Sequence, residues 1–99
     1  MHARTIRASI VPGKMDEAIR IYRDEVLPVL QAQPGFVSTT VLVDPESHEG
    51  MVVTLWETEE AAHTTGPGSD YLAQQLARMR FVLVARHINH WDVPIAVHA

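Results

Sequence analysis

The sequence predicts one α+β domain spanning residues 1–99, with its elements in the order β-α-β-β-α-β. Three observations carry this. Apolar and polar residues alternate over residues 3–11, 36–43 and 51–57, the period of half-buried strands. Between the first two of these stretches the apolar residues recur every three or four positions, the period of a helix buried on one side. Pro12-Gly13, Pro34-Gly35 and Gly66-Pro67-Gly68 punctuate the pattern where elements must end.

In order along the chain, Ile6, Ala8 and Ile10 alternate with Thr5, Arg7 and Ser9 in the first strand. Met15, Ile19, Tyr22, Val26, Val29 and Leu30 form the buried stripe of the first helix. Asp16 and Glu17 occupy its first turn, where the helix dipole favours carboxylates. Arg20 and Asp24 are spaced to pair on its solvated face. Pro28 lies inside the stripe, removes one backbone hydrogen bond and predicts a kink. The second and third strands are joined by a longer loop, 44–50. Thr58 has the character of an N-cap for a short helix reaching about Thr65, with Glu59 and Glu60 in its first turn. Ser69 or Asp70 caps the next helical segment, whose stripe is Leu72, Leu76, Met79 and Leu83. The last strand is expected from His87 through Trp91 and on towards Val97, although the run 81–85 can instead open it. This order is the ferredoxin-like split arrangement: a four-stranded antiparallel sheet with its helices on one face.

Composition narrows the function. A net charge of −4 with 20% charged residues argues against nucleic acid, whose affinity rests on basic residues at phosphates. No apolar run approaches a membrane span, the first residues lack a signal-peptide core, and a cytoplasmic protein is expected. The absence of cysteine removes disulfides, thiolate nucleophiles and zinc ribbons. Both sheet faces are substantially apolar. Met51, Val53 and Leu55 oppose Val52, Thr54 and Trp56, while Phe36 and Leu42 oppose Val37, Val41 and Val43. Helices cover one face only, so the other predicts a homodimer packed sheet to sheet. Arg7 alternates onto that face, where Glu57 or Asp92 would pair with it and fix the dimer's register.

Gln33-Pro34-Gly35-Phe36, Val52-Val53-Thr54-Leu55-Trp56-Glu57 and Thr58-Glu59-Glu60-Ala61-Ala62, following Pro12-Gly13, resemble the antibiotic biosynthesis monooxygenase (ABM) domain of the dimeric α/β-barrel superfamily. The resemblance covers residues 5–65 well and the remainder by element order. It implies a dimer with a pocket in each protomer between sheet and helices. It also implies one of several activities: cofactor-independent oxygenation of phenols and polyketide quinols, haem degradation, or none assigned. The haem-degrading branch is least like this chain. Its Asn falls on Ile6 or Arg7, its helix Trp on Thr65 and its His near 72–74, where none of the three is present. No cofactor and no metal is therefore expected.

Cofactor-free oxygenation asks for an electron-rich substrate, a base, a donor for the developing oxyanion and a dry pocket. His63 and His87 are the candidate bases. Trp56, Tyr22, Tyr71 and His90 are the candidate substrate-binding residues. Each has a plainer reading: Trp56 as core, Tyr22 and Tyr71 as residues whose hydroxyls reach the helix edge, and the histidines as solvated. His87 and His90 lie three apart in a strand and point to opposite faces, so they do not chelate one metal. Two functions follow. One is a monooxygenase of a small aromatic, quinol or polyketide-like molecule. The other is a non-catalytic dimeric barrel that binds a small apolar ligand or serves as an association module.

Overall fold

The computed structural model describes all 99 residues. Strands β1 (His2–Ile10), β2 (Phe36–Asp44), β3 (Glu49–Trp56) and β4 (Leu83–Asp92) form one antiparallel sheet in the order β2-β3-β1-β4. Helices α1 (Met15–Ile21), α2 (Leu27–Gln31), α3 (Glu59–Thr64) and α4 (Asp70–Arg78) complete the ferredoxin-like arrangement. No helix is long and apolar enough to cross a membrane.

The first helical stretch is not one kinked α-helix. Tyr22–Val26 is a π-helical turn between α1 and α2. Pro28 has no N–H to offer the Asp24 carbonyl, and the ladder widens just before it: the Leu27 N–H bonds the Tyr22 carbonyl five residues back. The extra residue rotates the helix face. Arg20 therefore meets Glu25 at 3.6 Å rather than Asp24, and Asp24 pairs with Arg23 at 2.9 Å.

The short helices are capped as their sequences suggest. Thr58 Oγ1 accepts from the Ala61 N–H at 3.0 Å, and Ser69 Oγ from the Leu72 N–H at 3.1 Å. Helix α4 stops earlier than its stripe predicts. Leu83 belongs to β4, opposite Ile10, and the Val11 N–H bonds the Val82 carbonyl at 2.8 Å. Pairing with the end of β1 thus claims this apolar run for the sheet. At the other end β4 closes at Asp92, and Pro94, which has no N–H to give a ladder, keeps residues 94–97 out of it.

A second correction concerns β2. Phe36 faces Trp56 and Ser38 faces Leu55, so Val37 is an extra residue that reverses the alternation beyond it. Phe36, Val41 and Val43 consequently share the helix side with Trp56, Val52 and Gly50, while Leu42 lies with Met51 on the open side. That open face carries Leu42 and Trp91, both about half exposed, and half-buried Met51, Val53 and Leu55. Arg7 stands on it opposite Met51 and His87, with neither Glu57 nor Asp92 as a partner within the chain. Asp92 lies 3.3 Å from His2 instead.

The core is divided. Ile10, Ala18, Ile21 and Val82 form one cluster, and Leu30, Trp56 and Ala62 another. Ile6 lies between them at the middle of an interior strand, yet it is only half-buried. The space above it is a cavity.

Candidate functional site

The cavity holds about 110 Å³ between the helix side of the sheet and the helices. Ile6 and Ala8 form its floor, Val26 and Leu30 one wall, and Leu72 and Leu76 of α4 another. Val41 and Val43, each about two-fifths exposed, mark its mouth on edge strand β2. The wall is apolar apart from Arg4, Thr54, Gln75 and the two tyrosine hydroxyls.

Arg4 is the cavity's charge. It sits on the same side of β1 as Ile6, Ala8 and Ile10 and is only 3% exposed. Its Nη1 donates to the Ala62 carbonyl at 2.9 Å and to Thr65 Oγ1 at 3.3 Å, tying β1 to the C-terminal end of α3. The guanidinium carbon lies 5.1 Å from the centroid of the Trp56 ring, a cation–π arrangement. No carboxylate pairs with it. Burial pulls its pKa down, while Tyr71 and Tyr22 act in the opposite sense. A guanidinium stays charged regardless, so the cavity contains a cation without a counter-ion.

Around it the hydroxyls are ordered. Tyr22 Oη is hydrogen-bonded to Thr39 Oγ1 at 2.9 Å, and Thr39 Oγ1 to Thr54 Oγ1 at 3.2 Å. Burial raises the pKa of Tyr22, opposed by those hydroxyls and by Arg4. Burial likewise pushes Tyr71 up to about 12, again opposed by Arg4. Gln75, one turn beyond Tyr71 on α4, is 4% exposed, and neither atom of its amide has a hydrogen-bond partner.

The two predicted tyrosines therefore line the cavity. Trp56 does not: it is wholly buried behind the wall, packed with Leu30 and Ala62 and edge-on to Phe36. The histidines lie outside. His63 is exposed on α3 beside Glu59 and Glu60, and His87 projects from the opposite sheet face. His90 is on the helix side, largely exposed, with its ring stacked on His2 at 6.0 Å. Partial burial pulls its pKa down, and the positive neighbours Arg4, His2 and His63 add to this.

Sequence reasoning missed Arg4, Thr39, Thr54 and Gln75. Three of the four were detectable as polar residues inside apolar periods. Arg4 precedes Ile6-x-Ala8-x-Ile10, Thr54 separates Val52 from Trp56, and Gln75 stands in the Leu72–Leu76–Met79 stripe. Thr39 carried no such mark, because the extra residue at Val37 hides which way it faces.

A ferredoxin-like sheet with an apolar cavity under its helices defines a small α+β domain with an internal pocket. Residues 1–70 match the antibiotic biosynthesis monooxygenase family, and the chain belongs to it. Among solved structures it is similar to a monooxygenase of Streptomyces coelicolor in complex with nanaomycin D. The TM-score is 0.75 at 16% identity, covering 99% of this chain and 91% of that one. It is also similar to a cofactor-independent oxygenase from Streptomyces nogalater, with TM-score 0.70 at 15% identity, covering 97% and 95%. At these identities the likeness establishes the fold. Two uncharacterised Mycobacterium tuberculosis proteins of strain H37Rv are nearer in sequence. One is 30% identical over 95 residues, 96% of this chain, and the other 32% identical over 65 residues, 66% of this chain. The chain spans 39% of the length of the first and 29% of the second.

Proposed function

We propose that this protein is a cofactor-independent monooxygenase of a small aromatic quinol or polyketide-like molecule bound in the cavity. The observation that carries the reading is Arg4, a buried cation without a counter-ion on an apolar wall. A phenol ionises near 10, and a positive charge within about 4–6 Å lowers that by roughly 1–3 units. Burial pushes Tyr71 up to about 12 in spite of that pull, so it is a quinol oxygen hydrogen-bonded directly to the guanidinium that is drawn to the anion, the form electron-rich enough to reduce dioxygen. One oxygen atom forms a bond to ring carbon. The other leaves as water with two substrate hydrogens, and the substrate supplies all four electrons. The apolar wall keeps water from the intermediates, and Arg4 stabilises the oxyanion throughout.

In this mechanism Tyr22 and Tyr71 are walls of the site, and the field of Arg4 replaces a general base. This reading assigns His63 and His87 no part, since neither lines the cavity. The test is oxygen uptake with 1,4-dihydroxynaphthalene and isotopically labelled dioxygen. One labelled atom should enter the product, and Arg4→Met should slow the reaction by about 10²–10³-fold, the usual cost of losing an oxyanion donor. Uptake no faster than the uncatalysed background would overturn the reading. That result would favour the non-catalytic barrel, which the lack of a histidine or carboxylate on the cavity wall already supports. We further infer a homodimer through the open sheet face, supported by its exposed Leu42 and Trp91.

A further inference from the structure

We propose that Gln75 reads the second oxygen of the ligand, holding it as a hydroxyl before oxidation and as a carbonyl afterwards; this rests on the quinol reading above. Gln75 is 4% exposed, lines the cavity and has both Nε2 and Oε1 without partners. A buried donor or acceptor left unmet weakens a fold, and Leu72 and Leu76 of α4 and Met79 just beyond it give the amide only apolar surroundings on that part of the wall. The empty fold therefore gains nothing from an amide here.

The chemistry of the amide states what it waits for. It offers two N–H donors and one acceptor, whereas a guanidinium only donates. Arg4 accordingly suits the oxygen that ionises. The hydroxyls of Tyr22 and Thr54 are already joined through Thr39. Of the two polar groups left, the Tyr71 hydroxyl is half-buried, whereas Gln75 is buried with both its donor and its acceptor unengaged, as an oxygen that changes character requires. A quinol hydroxyl donates to Oε1, and once it has become a quinone carbonyl it accepts from Nε2.

The experiment is anaerobic binding, so that no turnover intervenes, using 1,4-naphthohydroquinone, 1,4-naphthoquinone and 1-naphthol, which lacks the second oxygen. The chain has no cysteine for the quinone to alkylate. Gln75→Leu, with Gln75→Met as a second variant, should weaken the quinol and the quinone by about tenfold or more and leave 1-naphthol unchanged. The same variants should raise the Tm of the empty protein. Equal weakening of all three probes would mean that Gln75 acts only through packing and would overturn the inference, as would undiminished binding of the two-oxygen probes. A lowered Tm would assign Gln75 to the fold. Failure of the wild type to bind any of the three would remove the quinol reading itself, and this inference with it.

Discussion

Arg4 and the two tyrosines make the site out of opposed tendencies: a charge is buried, and the groups around it are kept neutral. Tyr71 ionises at about 12, above its ordinary value of 10.0. The unfolded chain therefore gives up its tyrosine proton first. The stability this tyrosine contributes is complete below pH 10 and is lost as the pH rises towards 12. Tyrosinate absorbance followed alongside circular dichroism should show little ionisation of the two tyrosines before the fold loosens. A clean step near 10 in the folded protein would refute this. Trp56→Ala should cost roughly 3–5 kcal/mol in chemical denaturation, because a wholly buried indole is replaced by a void. His63→Ala should leave both stability and any oxygenase turnover unchanged, since the side chain is exposed and outside the cavity. Legibility at this scale was uneven. The two tyrosines of the wall stood out as aromatics. Arg4 was hidden by an emphasis on Arg7, three residues on and on the opposite face, although the strand's own alternation separates the two.

Among the elements, those whose signals are local were the legible ones. Thr58 and Ser69 cap their helices through contacts three residues away, and Pro34-Gly35 stops the helix before β2. Gly35 shows how tight that turn is. Its φ is +81°, and a Cβ there would stand 2.5 Å from the Cβ of Ala61. Gly35→Ala should therefore cost more than the roughly 1–2 kcal/mol of a left-handed conformation alone, read as a fall in the denaturation midpoint. The elements that escaped the sequence depend on distant partners. Leu83 fits a helical stripe as well as a strand, and only its place opposite Ile10 decides between them. The π-helical turn was half visible: Pro28 announced a disturbance but not that a residue would be inserted, and with it the exchange of Asp24 for Glu25 as the partner of Arg20.

For the whole molecule, the covered and the open sheet faces assign separate tasks to one sheet. The covered face holds the cavity, and the open one leaves Leu42 and Trp91 exposed, the surface on which the proposed dimer rests. Sedimentation at micromolar concentration should give twice the 11.1 kDa of the chain, and Leu42→Arg, at an exposed position, should return it to a single chain without unfolding it. A wild type that stays at 11.1 kDa would remove the dimer. Apolar residues on both sides of the sheet were legible in the sequence, and Leu42 does oppose Val41 and Val43, but Phe36 falls with the valines rather than with Leu42 because the extra residue at Val37 breaks the alternation between them. Deleting Val37 would bring Ser38 next to Phe36 in the register β3 already holds for them, so the bulge would go while Leu42, Val41 and Val43 kept their sides. The mouth and the open face are thus two texts on opposite sides of one page, typeset from the hairpin end of β2 and indifferent to the letter at Val37.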